Sequence, residues 1–394
     1  MSILFCVNNL VKHNSDWEID QVLINGKDLF TLIEDPLNWE FDPFSPDIAR
    51  ITFRDEFKQV LEDIFFAIDD LYSTHKECLA AFLSSFLYER LTPSWEKLIL
   101  SGNHINAIQY WKKYILITHE WEGRNNKHIH KGTPYAFMAY TYLLIGDIDT
   151  GFSYIYNAIE EDIRLNSVCP QLNYPRSAPV YLTASLSSVK RNVMYSFVER
   201  IRLDLETNLS DYRDCFGRIL TLSEFDNKFL QNELLDIIKY YFVFTYWTVF
   251  EYQRKVDAAM MQNDFSKLKN ANWMFALCLV IDKLLNSKYG TDNIGKGIIA
   301  LSTDKGYMRQ SDLENLRSQN NLKKDPDDAI PRLLQMNLNY NGSPIKKEIQ
   351  YLLVAWNIRN FAGHNIKIQN VFGDKFKELF KVLLYCIFII VEEY

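Results

Sequence analysis

The stretch EIQYLLVAWNIRNFAGHNI, residues 348–366, reads as an apolar helix that runs directly into charged and polar side chains. Arg359 and Asn360 follow the apolar pattern, and His364 comes five residues after the arginine. Gly363 is a natural helix stop, so we expect the helix to end there and His364 to fold back beside Arg359. The side chains that the helix should bury are Ile349, Leu352, Leu353, Ala355 and Trp356.

The sequence on both sides of this stretch predicts a mainly α-helical chain. Apolar residues recur at spacings of three and four, which is the period of an amphipathic helix. In the second half of the chain the predicted helices are 185–205, 228–262, 264–287, 344–361 and 374–393. Ser343-Pro344 supplies an N-cap and an N1 proline for the helix at 344–361. Residues 289–342 are a polar insert, for which we expect one or two short helices.

The N-terminal part of the chain has a different pattern. IDQVLINGKDLFTLIE, residues 19–34, places β-forming residues on both sides of Asn25-Gly26, a dipeptide suited to a tight hairpin turn. A proline-rich stretch at 34–47 follows, and we expect the first long helix to begin at about Asp47. Its apolar face consists of Phe53, Phe57, Val60, Leu61, Ile64, Phe65, Ile68 and Leu71.

Two later segments are similar to each other and indicate helical hairpins. The segment YAFMAYTYLLIGDIDTGFSYIYNAIEED, residues 135–162, resembles one tetratricopeptide repeat, and residues 101–115 resemble the second half of such a repeat. The positions that carry the resemblance are Tyr135, Tyr142, Gly146, Asp147, Gly151 and Ala158. The two segments do not keep the family's regular period, so we expect stacked hairpins, either as a purely structural unit or as a surface for a protein partner. The proline-rich stretch 165–183 marks the next boundary.

Composition and charge narrow the class of protein. The 394 residues are 48% hydrophobic, which is enough for buried cores. The six cysteines are scattered without a regular spacing, and the first residues lack the features of a signal peptide, so a reducing cytoplasm is the expected location. The longest uncharged apolar runs, 240–250 and 382–391, are too short to cross a membrane. The net charge of -7 argues against extensive coating of nucleic acid, although a local RNA site is compatible with it.

The segment RNFAGH, residues 359–364, resembles the R-[N/D/H]-x-x-x-H signature of the HEPN superfamily (higher eukaryotes and prokaryotes nucleotide-binding domain). The resemblance covers residues 227–394 and implies a helical bundle with this motif at the end of one long helix. Many members are metal-independent RNases that act as dimers, often in antiviral defence or toxin systems. We therefore divide the chain into a small β-containing element (1–45), a tetratricopeptide-like module (46–180) and an HEPN bundle (181–394) with the insert at about 289–342.

The residue types at 359–364 suit RNA cleavage by the 2′-hydroxyl of the substrate. That reaction needs a base, an acid and a cation that stabilises the charge on the phosphorane. His364 titrates near neutral pH, the Arg359 fork matches phosphate oxygens, and Asn360 would orient substrate through hydrogen bonds. One protomer has a single histidine at the motif, so a homodimer would supply two arginines and two histidines at a composite site. The expected substrate is RNA, without metal or cofactor, and the expected products end in a 2′,3′-cyclic phosphate.

Two alternatives compete with this interpretation. The first is a non-catalytic helical scaffold that binds a protein partner through the hairpins and uses the HEPN bundle only for dimerisation. The second concerns GRNNKHIHKG, residues 123–132, which also contains arginine, asparagine and histidine. No apolar helix of comparable length leads into it, so we interpret it as a solvated loop, and otherwise as a secondary phosphate contact. His128 and His130 have no acidic partner nearby in sequence, which leaves too few ligands for zinc.

Overall fold

The computed structural model describes residues 5–13, 16–24, 27–28, 37–39, 51–53, 55–74, 77–168, 195–232, 235–256, 260–320, 322, 325–335, 338–362 and 369–394. The described part is mainly α-helical, as predicted. The chain divides into two compact units, Met1–Val180 and Tyr181–Tyr394.

The first unit opens with two small antiparallel sheets. Their strands are β1 (Phe5–His13), β2 (Asp16–Ile24), β3 (Lys27–Asp28), β4 (Leu37–Trp39) and β5 (Ile51–Phe53). One sheet has the order β1-β2-β3, and the other pairs β4 with β5. Ile24 lies opposite Lys27, so β2 and β3 pair across the predicted Asn25-Gly26 turn, whose two residues lie outside the described part. The longer hairpin of β1 and β2 was not predicted.

The first long helix begins later than predicted. Its expected start, Asp47, lies outside the described residues, and α1 spans Asp55–Ser73. The expected helical residue Phe53 belongs instead to β5, which pairs with β4. Ile51, Thr52 and Phe53 are β-branched or aromatic, and residues of this kind pack well in a strand when a partner strand is present.

The helices of the first unit build an aromatic core. After α1 they are α2 (Glu77–Leu100), α3 (His104–Asn125), α4 (Gly132–Leu144) and α5 (Ile148–Val168). Six residues of the face predicted for α1 are buried, namely Phe57, Leu61, Ile64, Phe65, Ile68 and Leu71. The largest buried side chains are Trp95, Tyr110, Trp111, Tyr114 and Trp121. Trp111 stacks on Phe137 of α4 with ring centres 5.7 Å apart.

The α4–α5 pair forms the hairpin expected at residues 135–162. Gly146 has φ +83 in the turn, a conformation that favours glycine. A Cβ atom at Gly151 would lie 3.0 Å from the Leu143 side chain and 3.3 Å from the Ala139 carbonyl oxygen. Glycine at this position therefore permits the close approach of the two helices, and Ala158 is fully buried between them and the core.

The second unit is a helical bundle. In order the helices are α6 (Tyr195–Phe216), α7 (Leu222–Phe225), α8 (Asp236–Lys255), α9 (Asp264–Tyr289), α10 (Ile294–Asp304), α11 (Gln310–Gln319), α12 (Pro326–Leu334), α13 (Lys347–Ala362), α14 (Val371–Asp374) and α15 (Phe376–Val391). The central helix α9 packs against α8, α10, α13 and α15. Helix α15 is buried along its length, including the run 382–391. Within the described residues, no helix is long and apolar enough to cross a membrane.

Three predicted helices of this unit have different bounds in the structure. The helix expected at 185–205 is described only from Tyr195, and it continues to Phe216. The segment 228–262 is not one helix: a π-helical turn at Asp226–Leu230 precedes α8, and a 3-10 turn at Met260–Gln262 follows it. Helix α8 ends because Val256 adopts an extended conformation, with φ -115 and ψ 125. The predicted helix 374–393 corresponds to α15, which begins at Phe376 and ends at Val391, and the short helix α14 precedes it.

The predicted start of α13 was wrong. Ser343-Pro344 form a short strand, β7, that pairs with β6 (Asn339–Tyr340), and the helix begins at Lys347. Asn341 and Gly342 have φ +50 and +81, so this Asn-Gly pair makes a two-residue hairpin turn. The described part of the insert at 289–342 contains three short helices, α10, α11 and α12, rather than one or two.

Candidate functional site

Helix α13 presents Arg359 and Asn360 in its last turn. The five side chains predicted to be buried on this helix are buried. The helix ends at Ala362, directly before the predicted stop at Gly363. Asn360 is exposed, and Arg359 is half-buried. Gly363 and His364 lie outside the described residues, so the predicted approach of His364 to Arg359 remains a prediction.

Arg359 packs against α9 through both charge and an aromatic ring. Its Nε lies 3.4 Å from Oδ2 of Asp282, and its guanidinium carbon lies 5.0 Å from the centre of the Phe275 ring. Nε is sealed from solvent and makes no aligned hydrogen bond, so the contact with Asp282 is an ion pair only. The side chain keeps 29% of its surface exposed. One edge of the guanidinium is therefore held by the protein, while part of the side chain remains accessible.

Asp282 is itself held in place by a short chain of hydrogen bonds. Asn286 donates from Nδ2 to Oδ1 of Asp282 at 3.1 Å, and Thr291 donates from Oγ1 to Oδ1 of Asn286 at 2.8 Å. The Asp282 side chain is only 9% exposed. A buried carboxylate with a fixed rotamer is a suitable anchor for the arginine, because little freedom is left to lose when the ion pair forms.

Cys278 lies in the same part of α9 and is fully buried. Burial raises the pKa of the Cys278 thiol, and the opposing effect of the nearby Arg359 charge is smaller. The side chain is therefore a neutral thiol at physiological pH. A nucleophilic cysteine needs the thiolate form and access to substrate, so Cys278 serves packing in this region.

A second arginine lies over the ring of Trp356, which is one helical turn before Arg359. The guanidinium carbon of Arg317, from α11, lies 3.4 Å from the centre of the Trp356 ring. On another side of the ring, a Cβ atom at Gly295 would lie 2.4 Å from Cζ2 of Trp356. Glycine at the start of α10 therefore makes room for the indole. Burial lowers the pKa of Arg317 to about 10, so this side chain is still charged at neutral pH.

The loop at 126–131 is not the solvated loop that the sequence suggested. Ile129 is fully buried, His130 is 8% exposed and Lys131 is 1% exposed. The Lys131 ammonium group contacts Glu122 and donates to the Ile129 carbonyl oxygen at 2.8 Å. The prediction that the two histidines have no acidic partner nearby in sequence was also wrong, because Glu122 of α3 directly precedes this segment and contacts His128. Further acidic partners come from α5.

The two histidines of this loop both contact carboxylates. His128 lies 3.2 Å from Glu122 through Nδ1 and 2.9 Å from Glu161 through Nε2. His130 Nε2 lies 3.0 Å from Asp162. These contacts link the loop to α3 and α5 as a buried polar network. Within the described residues, no group of three or more His, Cys, Asp or Glu side chains is arranged to hold a metal ion.

A cleft of about 500 Å³ lies elsewhere in the second unit. It is lined by Asp211, Asp214, Cys215, Leu334, Tyr351, Glu378, Lys381, Val382 and Tyr385. Three of these residues are acidic and one is a lysine, which already contacts Asp211. Because the acidic groups predominate, this surface is unsuited to a polyanion such as RNA.

Sequence reasoning missed four residues near the end of α13: Phe275 and Asp282 contact Arg359. Gly295 and Arg317 lie against the Trp356 ring. One of them has a visible signal: Asp282 is a single acidic residue after the apolar run of 276–281 in α9. An isolated charge beside such a run usually has a partner, because burying it alone costs several kcal/mol, of order 3–5 when a pair is broken. No local pattern marks Phe275, Gly295 or Arg317, because their positions depend on how α9, α10, α11 and α13 pack.

The comparisons with known proteins add no relative. No family model, curated protein or solved structure matches the chain.

Proposed function

We propose that this chain is a metal-independent HEPN-type endoribonuclease that cleaves single-stranded RNA, with Arg359, Asn360 and His364 at its active site. The observation that carries the proposal is the position of Arg359. It lies in the last turn of a buried helix, is held at Nε by Asp282, and keeps 29% of its side chain exposed beside the exposed Asn360. A fixed and accessible guanidinium at a helix end suits a phosphodiester.

In the proposed reaction the RNA supplies its own nucleophile. The 2′-oxygen loses its proton to a base, forms a bond to phosphorus, and the bond from phosphorus to the 5′-oxygen breaks as that oxygen takes a proton from an acid. The products are a 2′,3′-cyclic phosphate and a free 5′-hydroxyl. His364 from each protomer of a homodimer would serve as base and acid, while Arg359 stabilises the charge on the phosphorane. A role in antiviral defence or as a toxin rests on the family resemblance alone.

The test uses the full-length protein, labelled single-stranded RNA and EDTA. The wild type should cleave the RNA, and Arg359→Ala and His364→Ala should each slow cleavage by about 10²-fold or more. Matched controls are Arg309→Ala on the exposed end of α11 and His104→Ala at the start of α3, and both should retain activity. Mass spectrometry should find cyclic phosphate ends, and DNA of the same sequence should stay intact.

The alternative function is a non-catalytic scaffold that binds a protein partner through the hairpins of the first unit. One observation favours it: the Arg359 charge already has a partner in Asp282, as expected of a structural ion pair. If the wild type cleaves none of several RNAs and its Arg359→Ala variant is destabilised, the scaffold replaces the nuclease. Cleavage that requires both Arg359 and His364 excludes the scaffold as the sole function.

A further inference from the structure

Arg317 is a buried arginine for which the described part of the chain supplies no acidic partner. It is 9% exposed, and its guanidinium carbon lies 3.4 Å from the centre of the Trp356 ring. Among the described residues no carboxylate pairs with this guanidinium, and the nearest influence of opposite charge is the exposed Glu314 on the same helix. The donors along the edge of the fork therefore have no acceptor from the described part of the protein.

A second buried arginine in the same unit shows the usual arrangement. Arg202 is 5% exposed, and both of its Nη atoms donate to the carboxylate of Asp226. Such a bidentate pair satisfies both terminal nitrogens of the fork and compensates for burial of the charge. Arg317 has only the face of an aromatic ring, which attracts the cation but accepts no aligned hydrogen bond. An arginine in this position is ready to bind an anion at its free edge.

The position of Arg317 relates it to the site at Arg359. Trp356, on which it stacks, lies three residues before Arg359 and four before Asn360 on α13. Residues at these spacings are neighbours on one side of a helix. Long side chains in a helix also lean toward the preceding turn, which for Arg359 is the turn that contains Trp356. Arg317 therefore contacts the helical turn that directly precedes Arg359 and Asn360.

We propose that Arg317 is a second phosphate-binding residue of this site, which holds a phosphodiester next to the one being cleaved while the Trp356 ring supports the guanidinium. The ligand is the backbone of a single-stranded polyribonucleotide. The identity of that ligand rests on the proposed function. Arg317 then acts in substrate binding, whereas Arg359 acts on the scissile phosphate.

The test measures binding of a labelled single-stranded RNA by fluorescence anisotropy between 50 and 200 mM salt. All proteins carry His364→Ala, so that the RNA stays intact. Adding Arg317→Gln should weaken binding about 5- to 10-fold and reduce the slope of log affinity against log salt by about 0.7, the value for one phosphate contact on a single strand. Arg309→Gln is the matched control, because it removes the same charge from the exposed start of the same helix.

One further variant separates the role of the charge from that of the planar fork. Arg317→Lys keeps the charge and loses the planar fork, so it should keep the salt slope while binding more weakly. If Arg317→Gln weakens binding without changing the slope, or behaves like Arg309→Gln, the inference is wrong while the nuclease proposal stands. If the His364→Ala chain binds no RNA and the wild type cleaves none, both proposals are overturned.

Discussion

At the scale of single residues, Asp282 decides how Arg359 can act. The carboxylate holds Nε from the side of α9, and Asn286 fixes the carboxylate in turn. A carboxylate next to a phosphate site carries an electrostatic cost, because it repels the anionic substrate. Its benefit is orientation, since a fixed guanidinium loses less freedom when it binds the transition state. We therefore regard Asp282 as a positioning residue.

This role predicts an unusual outcome for Asp282→Asn. The substitution keeps the volume of the side chain but removes its charge, so Arg359 should lose its fixed orientation while the site becomes more positive. We expect kcat for RNA cleavage to fall about tenfold, with KM unchanged or lower. Steady-state kinetics on a short labelled RNA would measure both constants.

The control for this prediction is Asp304→Asn, which removes an exposed acidic residue at the end of α10. It should leave kcat unchanged. A rise in KM for Asp282→Asn, at constant kcat, would mean that Asp282 supports substrate binding rather than the orientation of Arg359.

The sequence identifies only part of the neighbourhood of Arg359. Periodicity predicts the buried face of α13, because the apolar residues repeat within one continuous segment. Asp282 and Arg317 contact this helix from α9 and α11, and no local pattern specifies which helices pack there. Arg317 in particular lies in a polar segment of the insert, where nothing local marks it as buried.

At the scale of elements, the loop between α3 and α4 shows how a polar segment becomes buried. Its charged residues read as solvated because two of their partners, Glu161 and Asp162, lie far away in sequence in α5. The third partner, Glu122, lies in the last turn of α3. Hairpin packing brings these carboxylates to the loop, where they satisfy His128, His130 and Lys131. The network therefore fixes the geometry of three consecutive helices.

Lys131→Met should destabilise the protein strongly. The lysine is 1% exposed and its ammonium group contacts Glu122, so methionine would keep the apolar stem but leave the carboxylate without this partner. Removing one member of a buried pair costs about 3–5 kcal/mol. Urea unfolding, followed by circular dichroism, would measure the loss in the free energy of unfolding.

Lys127→Met is the matched control, because it removes a lysine from the same loop. Lys127 is 44% exposed and lies 3.2 Å from Asp69. An exposed pair of this kind contributes about 0–1 kcal/mol, so the control should unfold close to the wild type. Equal effects of the two substitutions would contradict the importance of the buried network.

The start of α13 shows that a hairpin-turn signal can outweigh a helix-start signal directly after it. Ser343-Pro344 has the residue types of a helix start, yet Asn341-Gly342 directly before it forms a hairpin turn, and the paired strands delay α13 until Lys347. The same dipeptide at Asn25-Gly26 correctly predicts the hairpin of β2 and β3. A two-residue turn sets the backbone conformation of the residues on both sides of it. In this hairpin the turn therefore outweighs the helix-capping signal of Ser343-Pro344, which form the strand after the turn.

At the scale of the whole molecule, the proposed chemistry requires two chains. Each chain carries one His364, and the reaction needs both a base and an acid. The net charge of -7 also favours a small cationic site over a broad basic surface, so few phosphates should be contacted and the dependence of binding on salt should be shallow. A site shared by two protomers concentrates four motif side chains, two arginines and two histidines, in one place.

A mixed dimer tests this arrangement directly. Wild-type and His364→Ala chains with different affinity tags would be expressed together, and the dimer that carries both tags would be purified and assayed on RNA. If each site needs both histidines, the mixed dimer should have little activity. If each protomer carries a complete site, the mixed dimer should keep roughly half of the wild-type activity, because one of its two sites is intact. The control is a doubly tagged wild-type dimer, which shows that tags and purification leave activity unchanged. Recovery of active monomer alone would exclude the composite site, and catalysis would then have to come from Arg359 and His364 of one chain.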